Sequence, residues 1–253
     1  MLARQWQARE SSSKQLTVGL ARNLREVRAA QRLRYRIFAE EMGALVPGRE
    51  QRIDCDAYDA FCDHLVVRDL AANEVVGTYR ILTGVKAQRL GRFYSDEEFD
   101  LTRLDRLRLA TAEVGRSCVH PAYRDGAVIS LLWSGLGAYV MRQGLRYLLG
   151  CASISLADGG GNAVGVYRHL AETHLSPREY RVFPRHKLAL DHHGKGFVAE
   201  LPVLIKGYMR LGAYLCGAPA YDPDFNTADL LLLLPLANMK QRYARRYLKI
   251  GCH

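Results

Sequence analysis

The chain has 253 residues, 49% of them hydrophobic, and a formal net charge of +10. That apolar content permits a sizeable core and excludes a disordered or fibrous protein. The longest aliphatic run, Leu230–Leu234, stops at Pro235 and is too short to span a bilayer, while MLARQWQARESSSKQ lacks the apolar core of a signal peptide. A cytoplasmic protein is expected.

The positive charge gathers at the two ends. Residues 1–36 set their Lys and Arg against only Glu10 and Glu26, and residues 240–249 hold Lys240, Arg242, Arg245, Arg246 and Lys249 with no acid. Such ends suit an acidic protein, an anionic membrane surface or a nucleic acid, or are a solvated face. No C-x-x-C pair occurs among Cys55, Cys62, Cys118, Cys151, Cys216 and Cys252, so no zinc or redox framework is written here. His120, His169, His192 and His193 show no ligand spacing, and no metal is expected.

In chain order, residues 1–14 read as a loose arm and Gln15–Ala21 as a first strand. Leu24–Met42 has helical spacing behind Asn23 as a cap, with Gly43 at its end. Ala44–Phe61 is an ordered loop carrying Asp54, Asp56 and Asp59. His64–Asp69 and Val75–Leu82 form two strands, and a short helix is expected around Asp96–Leu101. Ala112–Val119 is a strand, Ala127–Gly144 a broad apolar helix, and Tyr147–Ala157 a continuous, hence central, strand. Asn162–Thr173 is helical, Arg181–Leu190 a further strand, Pro202–Cys216 an amphipathic helix, Gly217–Asn226 a loop and Ala228–Leu236 a buried strand. Met239–Leu248 is a basic helical tail. Strands and helices alternate without a break in composition, which favours one α/β or α+β domain over residues 15–253.

The chemistry concentrates in Glu113–Ser134, a strand, a small-residue turn and a helix. Period-two alternation puts Glu113, Gly115, Ser117 and Val119 on one strand face and Ala112, Val114, Arg116 and Cys118 on the other. The turn Arg124-Asp125-Gly126-Ala127 opens the helix, where free N–H groups and the helix dipole favour a phosphate. An acid beside such a turn suits group transfer from a phosphate-bearing carrier. Gly115 leaves room beside Glu113, or marks a bulge.

Several short motifs now acquire a common meaning. Arg34-Tyr-Arg-Ile-Phe38, Asp56-Ala-Tyr-Asp59 followed by Cys62-Asp63-His64-Leu65-Val66-Val67, Gly77-Thr-Tyr-Arg80-Ile-Leu82 and Glu113-Val-Gly-Arg116 occur in this order over residues 15–240. In order and spacing the chain resembles GNAT-superfamily N-acyltransferases, and most narrowly the ornithine lipid synthase branch (ornithine–acyl carrier protein N-acyltransferases, hemolysin-like). Acyl-homoserine lactone synthases are related to it.

The resemblance implies a mixed, mostly antiparallel central sheet flanked by helices. It implies direct transfer of a fatty or 3-hydroxyfatty acyl group to the α-amine of an amino acid, ornithine by family, in aminolipid synthesis, with no bound cofactor. The donor is acyl-phosphopantetheine on acyl carrier protein, or acyl-CoA. The catalytic set is Glu113 as base, directly or through water, with Arg116 and the backbone N–H groups of Cys118 and Val119 at the oxyanion; a structural Glu113 paired to Arg116 or Arg80 is the competing reading. Ser117, Arg124, Gly126 and Ala127 would hold the donor. The turn has a single glycine, one place early against the family's pyrophosphate loop, which suits a carrier protein over coenzyme A. Arg34, Phe38, Asp56, Asp59, Arg80 and Gly115 would receive the acceptor, or the charged ones would pin the loop. Expected partners are therefore the acidic carrier protein, an amino acid and an anionic membrane surface at the inner face, with no nucleic acid. Two alternatives stand beside this reading. One is an acyl-homoserine lactone or other N-acyl amino acid synthase. The other is a non-catalytic basic module, although no nucleic-acid motif is present.

Overall fold

The computed structural model describes residues 14–189 and 200–248. The arm expected at 1–14 lies, apart from Lys14, outside the described residues, as do residue 190 and the tail from 249. The elements are β1 (Leu16–Leu20), α1 (Leu24–Tyr35), β2 (Asp63–Asp69), β3 (Glu74–Thr83), α2 (Gly84–Leu90), β4 (Phe99–Asp100), β5 (Thr111–Val119) and α3 (Ala127–Arg142). They continue as β6 (Tyr147–Ser155), α4 (Gly161–Thr173), β7 (Phe183–Pro184), α5 (Val203–Leu211), β8 (Tyr214–Leu215), β9 (Ala220–Asp222), β10 (Thr227–Pro235) and α6 (Gln241–Tyr243).

The main sheet runs β1-β2-β3-β5-β6-β10-β8, with β9 also on β10, and β4 pairs with β7 apart from it. All its strand pairs are antiparallel except β5–β6. This is the mixed, mostly antiparallel α/β sheet expected. β10, whose residues are all buried, reads in sequence as an unbroken leucine run because both of its faces are covered. Each such leucine contributes about 2 kcal/mol through the water it sheds.

Capping explains where α1 begins: Asn23 Oδ1 accepts the Glu26 N–H at 3.1 Å. The helix continues through a π turn at Arg36–Glu41, so the expected span to Met42 is a helix with a widened last turn. α3 lies over β1, β2 and β3 on Leu65, Val67, Tyr79 and Ile81, while Leu33 and Phe38 of the first helix pack with Cys118.

Three local expectations are corrected, and one helix was not foreseen. The helix expected near Asp96–Leu101 is a 3-10 turn at Tyr94–Asp96, then β4 and 3-10 turns over Thr102–Ala110. Burial of Phe93, Phe99, Leu101 and Leu104 in one core cluster sets that path rather than helical propensity. α2 was not expected; Thr83 Oγ1 caps it, accepting the Lys86 N–H at 3.4 Å. The strand expected at Arg181–Leu190 shrinks to β7, which pairs only with the two residues of β4. The helix expected to reach Cys216 stops at Leu211 because Gly212 takes φ +105°, a region side chains disfavour, and turns the chain into β8. The tail is a short helix and a π turn, with Tyr247 and Leu248 buried and Arg242, Arg245 and Arg246 exposed.

Candidate active site

Two strands part at the centre of the sheet. β5 and β6 pair through Thr111↔Tyr147, Ala112↔Leu148 and Glu113↔Leu149, and no ladder joins them beyond Glu113. The strands stay close for one more step, where Gly150 has no side chain to meet the Val114 carbonyl; a Cβ there would lie 2.3 Å from that oxygen. A cavity of about 400 Å³ fills the parting and reaches both sides of the sheet. Its inner part is apolar, lined by Leu136 and Val140 of α3, Leu148 of β6, Leu211 of α5, Leu234 of β10, and Leu248 of the tail.

Along this cavity β5 does not keep its alternation. Thr78 pairs with Cys118 but Arg80 with Gly115, so two residues of β5, Arg116 and Ser117, face the single residue Tyr79. Arg116 takes φ +49° at this bulge. One extra residue exchanges the faces beyond it. Cys118 joins Leu33 and Phe38, whereas Ala112, Val114 and Val119 pack with the α3 cluster. The face assignment read from strict alternation is therefore corrected: Arg116 and Cys118 share the side of Glu113, and Ser117 and Val119 do not.

Glu113 is 6% exposed and lines the cavity. Its Oε2 accepts the Tyr94 N–H at 2.6 Å, and its Oε1 accepts the Ser95 N–H at 2.8 Å and the Ser95 hydroxyl at 2.5 Å. The turn offering these donors is itself held, since Asp96 Oδ2 accepts the Phe93 N–H and Arg108 forks onto Asp96 at 2.6 and 2.7 Å. Burial pushes the Glu113 carboxyl up, and the Ser95 and Tyr94 donors and the Arg80 charge oppose that rise. Glu113 forms no ion pair with Arg116 or Arg80 of the kind considered from the sequence.

Arg34 is 0% exposed and lies outside the cavity lining. Its Nε donates to Asp54 Oδ2 at 2.8 Å and its Nη2 to Asp59 at 2.8 and 3.0 Å. Arg80 Nη1 donates to Asp56 at 2.6 and 2.7 Å and to Asp59 at 3.2 Å. Arg116 completes the lattice more loosely, 3.4 Å from Asp54 and 3.7 Å from Asp56. Three guanidiniums thus face three carboxylates. Burial raises Asp59, but Arg34 and Arg80 outweigh it and hold that carboxyl well below the usual range. The lattice pins the 54–59 loop to α1 and the sheet. Arg34, Asp56 and Asp59 are not among the residues lining the cavity, and their pairings are those of the loop-pinning alternative. Phe38, Arg80 and Gly115 do line the cavity. A Cβ on Gly115 would meet nothing within 4 Å, so the expected room beside Glu113 is present.

The turn before α3 is less open than its sequence implies. Asp125 Oδ1 accepts the Ala127 N–H at 3.0 Å, filling that helix-start position with a carboxylate. Arg124, at the cavity, forks onto Glu41 at 2.7 and 2.9 Å. Gly126 is the left-handed residue before the helix. The N–H of Ala127 is therefore not free for a donor phosphate, and Arg124 must exchange Glu41 for one. Burial pushes the Cys118 thiol up to about 12, so it is no nucleophile at neutral pH.

Reasoning from sequence missed Tyr94 and Ser95, which grip Glu113, and Tyr79, Trp133 and Tyr208, which line the cavity. Tyr79 and Tyr208 are joined through their hydroxyls. Also missed were Glu98, Cys151 and Asp229, which come within 4.8 Å of one another. None of these has a local pattern; each is assembled from distant elements.

Comparison with known proteins agrees with this geometry. The acetyltransferase (GNAT) domain profile matches residues 33–134. The L-ornithine N(alpha)-acyltransferase of Brucella abortus is 36% identical over 249 residues, 92% of this chain and 88% of the relative. That of Rhodobacter capsulatus is 38% identical over 245 residues, 91% and 93% of the two chains. Among solved structures, FeeM, an N-acyl amino acid synthase from uncultured soil microbes, superposes with a TM-score of 0.55 at 14% identity, covering 89% of this chain and 93% of that one. The acyl-homoserine lactone synthase LasI gives 0.51 at 12% identity over 94% and 96%. At such identities these two share the fold. On the identity and coverage of its relatives the chain is an acyltransferase and belongs to the L-ornithine N(alpha)-acyltransferase family.

Proposed function

We propose that the protein moves a fatty acyl group from a phosphopantetheine thioester on acyl carrier protein to the α-amine of ornithine. The observation that carries this reading is the position of Glu113, at the point where β5 and β6 part and an apolar chamber begins. A carboxylate has about four lone-pair sites, and three here accept hydrogen bonds. The remaining one takes the proton of the acceptor ammonium, directly or through a water. The neutral amine adds to the thioester carbon. The oxyanion is met by N–H groups on the stretch of β5 that has no partner on β6, near Cys118 and Val119. As the adduct collapses, its nitrogen gives up its extra proton to the departing sulfur, so that the amide forms and pantetheine leaves as the thiol. Arg116, only loosely paired to Asp54 and Asp56, is available to the acceptor's α-carboxylate, and Arg80 supports it. Gly115 and Phe38 shape the acceptor side. Fixing both reactants in one cleft supplies much of the rate.

Carrier protein is preferred to coenzyme A as donor because the start of α3 already holds a carboxylate, while the +10 charge suits an acidic partner. Ser117, Arg124 and Gly126 are the donor-side residues. The exposed Arg242, Arg245 and Arg246 would meet an anionic membrane surface that receives the lipid product. The test is to incubate the protein with acyl-carrier protein or acyl-CoA and a panel of amino acids, and to read products by mass. No N-acyl product from any pair overturns the reading; a product from acyl-CoA alone overturns the choice of donor.

A further inference from the structure

The cavity wall carries a second acidic group, built unlike the Arg–Asp lattice. Glu98, Cys151 and Asp229 bring a carboxylate oxygen, a sulfur and a carboxylate oxygen within 4.8 Å of one another. Asp229 is 3% exposed, and Thr227 Oγ1 donates to it at 2.8 Å. Both Glu98 oxygens are sealed from solvent and receive no well-formed hydrogen bond; their neighbours are the Cys151 thiol and the Asp229 carboxylate. Asp222 adds a third carboxylate charge to the same group. Asp222, Cys151 and Asp229 all line the cavity.

What separates this cluster from Asp54, Asp56 and Asp59 is compensation. Those three carboxylates are matched by three arginines. Among the described residues no Lys or Arg forms an ion pair with Glu98, Asp222 or Asp229. Burial first, and then the neighbouring Asp229 and Asp222 charges, push Glu98 up to about 9, and Asp229 is raised as well. Buried carboxylates without a cation are costly unless something arrives to match them. Ser95 ties the cluster to the reaction centre: its hydroxyl donates to Glu113 and lies 3.4 Å from Cys151 Sγ.

We propose that Asp229 and Asp222, backed by Glu98 behind the cavity wall, receive the distal ammonium of the acceptor and thereby select a basic diamino acid over a neutral amino acid of the same length. The inference rests on the acyl-transfer reading above and adds to it the residues that choose the acceptor. An alkylammonium brings three N–H donors and one positive charge, the complement of a carboxylate cluster in which no cation is paired and both Glu98 oxygens receive no well-formed hydrogen bond. A divalent metal is a poorer occupant, because burial holds the Cys151 thiol well above its ordinary range and so protonated, while metal binding needs the thiolate. An acceptor with its α-amine at Glu113 and a few methylenes before its second amine would reach from the one acid to the other.

The test compares L-ornithine with L-norvaline, which has the same carbon chain without the second amine, in the full-length enzyme and in Glu98→Gln and Asp229→Asn. The enzyme as it stands should prefer ornithine in kcat/KM, and each variant should shrink the ornithine-to-norvaline ratio by roughly 100-fold, since a site built for a polar group rejects its absence strongly. Calorimetric titration of ornithine should show the same loss in a variant that is fully folded by circular dichroism, which separates specificity from misfolding. An unchanged ratio in both variants, with ornithine still acylated, overturns this inference and leaves acyl transfer standing. Abolition of ornithine acylation by EDTA and its restoration by zinc or magnesium would make the cluster a metal site, and also overturns it. Absence of any acylated product from the parent enzyme would remove both readings together.

Discussion

Ser95 and Glu113 meet at a single oxygen, where the Ser95 amide and hydroxyl both donate to Glu113 Oε1, at 2.8 and 2.5 Å. The carboxylate is thereby oriented by a turn that lies 18 residues earlier in the chain. Three hydrogen bonds are accepted by this carboxylate, which lines the cavity.

Glu113→Gln should lower kcat by about 10²- to 10³-fold with little change in donor KM, because it removes the proton acceptor and keeps the shape. Pre-steady-state turnover of a bound acyl thioester checks this. In the parent enzyme the rate should rise with pH as Glu113 ionises, with a midpoint above that of an ordinary glutamate because its carboxyl is raised by burial. A rate insensitive to the Gln substitution would leave Glu113 as a structural acid only.

Arg34→Met should cost about 3–5 kcal/mol of stability, because it removes the buried cation shared by Asp54 and Asp59 and leaves them only the longer pairings to Arg116 and Arg80. The midpoint of urea unfolding measures the loss. The folded Asp59 carboxyl lies below its unfolded value, so the stability it contributes is present above the ordinary carboxylate range and fades as pH falls through the depressed value. Arg34→Met should flatten that acid dependence.

Glu98 carries the opposite sign. Its folded carboxyl is raised from 4.5 to about 9, so the native state binds the proton more tightly than the unfolded chain. Stability should therefore fall as pH rises between those values. Glu98→Gln, neutral at every pH, should be more stable than the parent at the alkaline end of that window. Thermal unfolding across the range in the absence of acceptor tests the sign; a parent curve that rises with pH over the same window would contradict it.

Leu148 lines the apolar chamber from β6. Leu148→Trp should shorten the acyl chains accepted, since each methylene denied burial forfeits about 0.8 kcal/mol. A series of saturated acyl donors of increasing length, ranked by kcat/KM, should move its optimum to shorter chains while the shortest donors change least.

Much of this architecture follows from local pattern. The leucine run of β10 and the paired strands β2 and β3 write their periods into adjacent residues, and the motifs from Arg34 to Arg116 mark the family by order and spacing. Helix and strand periods are short-range properties, so the sequence by itself determined these elements, the central strand–turn–helix unit and the presence of an acid at Glu113. The tertiary structure alone decided how that acid is used. A single extra residue at Arg116 exchanges the faces of β5 beyond it, and no local period announces such a bulge. The same holds for the two groups of acids. Asp54, Asp56 and Asp59 are neighbours in sequence yet are neutralised by arginines from α1, β3 and β5, whereas Glu98 and Asp229, far apart in the chain, come together only in the folded structure. Charge compensation is a property of neighbours in space, and it separates the acids that hold the fold from those left for a ligand.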